Sequence, residues 1–155
     1  MVLVLHNIRS VHNVGSMFRT ADAAGVSKII LSGYTPTPLD RFGRLRLDLA
    51  KVALGAEKTI PWEHTAAAAP ALVRLQQAGY LLLAIEQSPN SVSLFDWHPP
   101  SPSQPLALIV GNEVRGLSPA ILKQCDAILE IPMRGAKESL NVSVAAGIAL
   151  FTALK

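Results

Sequence analysis

The sequence predicts an α/β fold, a mostly parallel sheet flanked by helices. Three observations point there. Residues 2–5 and 106–110 are short, continuously apolar runs, as expected of strands buried on both faces. Helix-like stretches alternate with such runs along the chain, which is the β-α-β order of a parallel sheet. Glycines fall where those helices should stop, at Gly25, Gly55 and Gly79. With 155 residues the chain is expected to be one domain, 1–155.

The elements follow in order. Strand 2–5 leads into a polar, turn-rich loop from Asn7 to Asn13. Asn13 is a suitable N-cap for a helix carrying Val14, Met17, Phe18, Ala21 and Ala24 on one stripe. Residues 28–31 form the second strand. A helix over 43–54 carries Arg44, Arg46 and Lys51, and residues 59–62 make a short strand or its edge. A helix over 65–78, its start delayed by Pro70, precedes a strand over 80–86. Residues 99–105 hold four prolines and read as a surface loop. Strand 106–110 follows, then a short helix capped by Ser118 with Pro119 at its first position, then strand 127–131. Ser139 and Asn141 are both suitable caps for a last helix, 142–154, apolar on every side and so expected to be buried.

Composition narrows the function. Half the residues are hydrophobic and 16% are charged, which describes a packed chain and not a disordered one. A formal charge of +3 and a pI near 9.3 suit an anionic partner without demanding one. The single cysteine, Cys125, allows no internal disulfide, and a cytoplasmic location is expected. Residues 1–6 lack the basic start and long apolar region of a signal peptide, so none is expected, and no apolar run approaches membrane length. The four histidines lack metal-ligand spacing, so no metal is expected. Neither a dinucleotide fingerprint nor a P-loop appears.

Three stretches carry a resemblance. The first runs from Asn7-Ile8-Arg9-Ser10-Val11-His12-Asn13 through Arg19-Thr20-Ala21-Asp22 to Gly25. The second is Ile109-Val110-Gly111-Asn112-Glu113-Val114-Arg115-Gly116-Leu117-Ser118, and the third Pro132-Met133 with Ser139-Leu140-Asn141-Val142-Ser143. In this order and spacing they resemble the signature motifs of the SpoU (TrmH-like) RNA ribose methyltransferases of the SPOUT superfamily. Lys51 with Leu54-Gly55-Ala56-Glu57 resembles the family's segment between motifs.

The resemblance implies an α/β knot, with a deep C-terminal trefoil, a feature no periodicity announces. It implies homodimers with active sites drawn from both chains, and S-adenosylmethionine as cofactor. The expected reaction is methyl transfer to a ribose 2′-hydroxyl, in tRNA first and rRNA next. The alternative is an inactive RNA-binding or assembly protein of the same fold, although Asn13, Arg19, Glu113, Ser139 and Asn141 are all intact.

Those five residues are the expected catalytic set. Arg19 would otherwise be a solvated arginine paired with Asp22, and Asn13, Ser139 and Asn141 no more than caps. The cofactor is expected against Ala84, Ile85, Glu86, Gly111, Asn112, Glu113, Gly116, Ile131, Pro132, Met133, Ser139, Leu140 and Val142. RNA is expected against Arg9, Arg19, Arg44, Arg46, Lys51 and Arg115; the bland alternative for Arg44, Arg46 and Lys51 is a solvated helix face.

Overall fold

The computed structural model describes residues 1–153. Seven parallel strands form one sheet: β1 (Val2–His6), β2 (Lys28–Ser32), β3 (Trp62–Thr65), β4 (Leu81–Ile85), β5 (Val92–Ser93), β6 (Leu106–Val110) and β7 (Ala127–Glu130). Their spatial order is β3-β2-β1-β6-β4-β7-β5. Six helices cover the two faces: α1 (Val11–Ala23), α2 (Leu47–Ala53), α3 (Ala56–Thr59), α4 (Ala68–Gln77), α5 (Pro119–Leu122) and α6 (Val142–Ala153). Among the described residues, no helix is long and apolar enough to cross a membrane.

The pleat divides the core in two. Leu3, Leu5, Ile29, Leu31, Leu108 and Val110 point to one face, where Met17 and Phe18 of α1 and Ala146, Ala149 and Leu150 of α6 close over them. Their neighbours Val2, Val4, Ile30, Ala107 and Ile109 point the other way, under Ala71, Leu72 and Leu75 of α4 and Ile121 of α5. A strand feeding two cores has no polar alternation, which is why the strand runs are continuously apolar.

Several boundaries differ from expectation. Ser10, not Asn13, caps α1: its hydroxyl accepts from the Asn13 N–H at 3.2 Å. Asn13 therefore sits inside the first turn with its amide free for other work. The helix expected over 43–54 starts at Leu47. The Asp40 carboxylate accepts from the N–H groups of Phe42 and Arg44, at 2.8 and 3.0 Å, and holds 40–44 in a turn. Arg44 and Arg46 thus precede α2. Beyond Gly55, α3 is an unexpected single turn, and β3 begins only at Trp62. In α4, which opens at Ala68, Pro70 falls in the first turn, where a missing N–H breaks no helix bond. The two-residue β5 is too short for any periodicity to reveal.

The last helix is apolar but not buried all round. Ala146, Ala149 and Leu150 are buried, whereas Val144 and Phe151 are 50% and 54% exposed. Leu154, the expected final residue of this helix, lies outside the described residues. Cys125, just beyond α5, packs at the margin of the second core. Burial, reinforced by the charge of Asp126, pushes its thiol up to about 12.

Candidate active site

Every strand is parallel, so the C-terminal ends gather at one sheet edge, where α/β folds bind ligands. A cavity of about 490 Å³ opens there. Its walls come from the ends of β4 and β6, the loop after β6, and the segment joining β7 to α6.

The loop after β6 is built around Asn112, one of few buried polar side chains. Its carbonyl oxygen accepts from the N–H groups of Val114 and Arg115, at 2.9 and 2.8 Å. Its amide donates to the Asn7 carbonyl at 3.0 Å and the Tyr34 hydroxyl at 2.9 Å. One side chain thus uses its whole bonding capacity, half to fix the turn and half to tie it to Asn7 and Tyr34. At the base of the turn, the Gly116 N–H donates to the Asn112 carbonyl at 2.9 Å.

Glycine is required twice in this loop. Gly116 has φ +63°, and a Cβ there would lie 2.2 Å from Glu86 Oε2. That same oxygen accepts from the Leu117 N–H at 2.8 Å and ties the loop to β4. A Cβ on Gly111 would sit 2.7 Å from the Gly116 carbonyl carbon. Two backbones therefore meet with no room for a side chain, and the cavity floor is bare main chain.

A polar chain crosses the mouth. Glu113 accepts from the Arg9 and Ser10 N–H groups at 3.0 and 3.1 Å, so its carboxylate caps the start of α1. Its Oε1 also accepts from the Asn13 amide at 3.1 Å, and the Asn141 amide donates to Asn13 Oδ1 at 3.2 Å. Asn141 in turn caps α6, its Oδ1 accepting from the Ser143 N–H at 2.8 Å. Residues 100 and 128 positions apart in sequence are joined in one line.

Partial burial pushes the Glu113 carboxyl up, but the N–H donors of Arg9, of Glu113 itself and of Ser10, with the Asn13 amide, outweigh it. The net pKa falls below the ordinary 4.5. The sign follows: the ionised form supports the fold fully above that value, and the support is lost as pH falls through the lower, folded-state pKa. Glu113→Gln should therefore flatten the acid side of the wild-type melting-temperature profile. Thermal melts from neutral to strongly acidic pH check this; parallel profiles would contradict it.

The structure brings together most of the expected site. Asn13, Ile85, Glu86, Gly111, Asn112, Glu113, Gly116, Ile131, Met133, Ser139, Leu140, Asn141 and Val142 all line the cavity. Ala84 and Pro132 do not: Ala84 is buried in β4, and Pro132 is exposed beside the lining residues. Gln87, Val110, Val114, Glu130 and Ala145 line it without having been expected; Val110 and Val114 lie inside the second motif, and the other three lie just outside the expected positions.

Arg19 stands apart. Six residues beyond Asn13, it lies about 120° around α1 from it. It is exposed, lines no part of the cavity, and its side chain makes no hydrogen bond or ion pair among the described residues. Asp22, the alternative partner, accepts instead from the Thr59 hydroxyl at 2.9 Å. Of the expected RNA-binding cations, Arg9 and Arg115 flank the mouth with their side chains exposed, and Lys51 is exposed on α2. Arg44 and Arg46 line a separate depression beside β2 and β3.

Known proteins share the sequence pattern and the fold. The profile of the SpoU rRNA Methylase family matches residues 1–151. The chain is 36% identical to the 23S rRNA (guanosine-2'-O-)-methyltransferase RlmB of Ralstonia nicotianae, covering 100% of this chain and 58% of that protein. The Neisseria meningitidis RlmB is 35% identical, with 97% and 56% covered. The chain thus spans a little over half the length of these curated relatives. An AdoMet-bound rRNA methyltransferase from Sinorhizobium meliloti has TM-score 0.84 and 33% identity, covering 97% of this chain and 54% of that one. A structure described as showing 2-OH methylation of C/U34 on tRNA has TM-score 0.80 and 27% identity, covering 98% of this chain and 92% of that one.

Proposed function

The chain belongs to the SpoU rRNA methylase family, and from that premise we propose that it methylates a ribose 2′-hydroxyl of ribosomal RNA, with S-adenosylmethionine as donor. The observation that carries the reading is the cavity at the sheet edge, with its bare glycine floor and its Asn13–Glu113–Asn141 rim. The relatives named for 23S rRNA favour ribosomal RNA over the tRNA expected from the motifs. One observation supports tRNA as a second reading: the tRNA-methylating neighbour is covered over 92% of its length.

The residues present fit the donor. Gly111 and Gly116 let a nucleoside approach the main chain closely, and Ile131, Leu140 and Val142 supply an apolar slot for adenine. When bound, S-adenosylmethionine supplies an electrophilic methyl group. Positioning is then most of the catalytic task. Asn13 and Asn141, locked together at the rim, orient the ribose, and Ser139 adds a hydroxyl beside them. Glu113 fixes Asn13 and so sets the rim geometry.

Arg19 is assigned as the residue that stabilises the attacking oxygen. A guanidinium only donates hydrogen bonds, so it serves as a cation that grips a phosphate and the developing alkoxide. Its distance from its own cavity fits an active site shared by two chains. The uncovered Val144 and Phe151 on the apolar α6 supply a surface for that second copy. Light scattering at micromolar concentration should give twice the 16.5 kDa chain mass; a monomer would count against the shared site.

Nucleoside mass spectrometry of RNA from cells with and without the protein tests the reaction. Loss of one 2′-O-methylated nucleoside from rRNA is expected. Loss from tRNA alone would favour the second reading, and loss from neither would leave the inactive assembly protein.

A further inference from the structure

We propose that the depression beside β2 and β3 is a second RNA-binding surface, one that holds an unpaired nucleotide by its base and its phosphate. This rests on the reading of the chain as an RNA-modifying enzyme and places part of the substrate outside the cofactor cavity. The depression is broad and open, and is lined by residues of the loop between β2 and α2 together with His64.

Its chemistry is that of a nucleotide site. Phe42 and Tyr34 are 66% and 59% exposed, a large apolar area to leave in water. The Arg41 and Arg44 guanidinium groups lie 4.7 and 5.0 Å from the centroid of the Phe42 ring. The ring therefore gathers two cations that would otherwise repel each other. Carboxylates offset part of the charge. Arg44 pairs with Asp40 at 2.9 Å and Arg46 with Asp48 at 3.3 Å, whereas Arg41 makes no ion pair among the described residues. Arg41 is thus left to take a phosphate, and its planar group also stacks on bases.

Tyr34 supplies the base platform. Its hydroxyl is held by the Asn112 amide at 2.9 Å and its N–H by Asn7 Oδ1 at 3.3 Å. Tethering at both ends fixes the ring while leaving its side open. Aromatic rings and arginine planes recognise unstacked bases, which exist in loops and single strands and not inside a duplex. Through Asn112 the platform shares one hydrogen-bonded frame with the loop that floors the cavity, so a base seated on Tyr34 would fix the register of the RNA past the Asn13–Asn141 rim.

Fluorescence anisotropy tests this on the full chain, with a fluorescein-labelled single-stranded RNA and the same strand annealed to its complement. Phe42→Ala, Arg41→Ala and Tyr34→Ala should each weaken single-strand binding about fivefold to a hundredfold. Tyr34→Phe, which keeps the ring, should bind far more tightly than Tyr34→Ala. Duplex affinity should change much less. Calorimetry with S-adenosylmethionine on the same samples reads the catalytic reading separately: a wild-type protein with no donor affinity would defeat that reading and leave this one standing. Unchanged single-strand affinity in all three alanine variants, with melting temperatures near wild type, would overturn the proposal. So would equal losses on strand and duplex, since those describe a charge patch without base recognition.

Discussion

Arg19→Ala should lower methyl transfer by roughly a hundredfold or more while leaving S-adenosylmethionine affinity unchanged. The separation follows from placement. Arg19 lines no part of the cavity, and among the described residues its side chain bonds to none of the residues that do, so donor binding should not depend on it. Arg19→Lys divides two ways in which a cation could act. If charge near the oxygen suffices, lysine keeps part of the activity. If the two-pronged grip matters, lysine falls with alanine, because an ammonium cannot meet a phosphate in that fashion. Turnover on rRNA and calorimetry on the free protein give the two readouts. The shared site proposed above adds a sharper expectation: mixing Arg19→Ala chains with Asn141→Ala chains should restore part of the activity that each lacks alone. Near wild-type turnover by Arg19→Ala would remove the assignment.

Gly116→Val should abolish donor binding, with affinity falling about a hundredfold or more. Two costs combine at this position. The left-handed backbone is strained for a branched residue, and the added Cβ would meet the Glu86 carboxylate at 2.2 Å. Glu86 cannot move aside without releasing the Leu117 N–H, and with it the tie between the loop and β4. Gly25→Ala is the matched control. Its φ of +72° is equally left-handed, but nothing lies within 4 Å of the new Cβ. It should cost about 1 kcal/mol of stability and leave donor affinity intact. Calorimetry and thermal melting distinguish the two, and equal affinities for both variants would contradict the close-packing argument.

The central strands were legible because they are buried on both sides, which writes them as apolar runs; β6 was bounded to the residue, whereas the part-exposed β3 and the two-residue β5 at the borders were not. The helices were less legible at their starts, where two caps compete. Ser10 and Asn13 are three residues apart and each could begin α1. The choice is tied to partners far along the chain: Glu113 accepts from the Ser10 N–H and the Asn13 amide, and Asn141 occupies the Asn13 Oδ1 that a cap would need. Arg44 and Arg46 were misplaced onto a helix because the Asp40 turn that detains them is read only from side-chain bonds. The site was legible as three motifs, and the fold brings residues of all three to one cavity. Tyr34 and Phe42 were silent, since an exposed aromatic leaves no periodic trace. The open side of α6 was legible only as excess: a helix apolar all round carries more hydrophobic surface than one small sheet can cover, and the half-exposed Val144 and Phe151 are where that excess lies.

The two borders of the sheet have a consequence for how copies of this chain can join. β3 is four residues long and carries Glu63, which Lys28 and Arg74 hold at 2.7 and 2.6 Å. β5 is two residues long and turns away at once, the Asp96 and Trp97 N–H groups both bonding back to the Ser93 carbonyl. Neither border offers a long, flat ladder for a strand from another molecule. Growth by sheet extension, which has no natural end, is blocked at both sides. If copies pair through the open side of α6, as proposed, a two-fold contact uses up its own surface and stops at two.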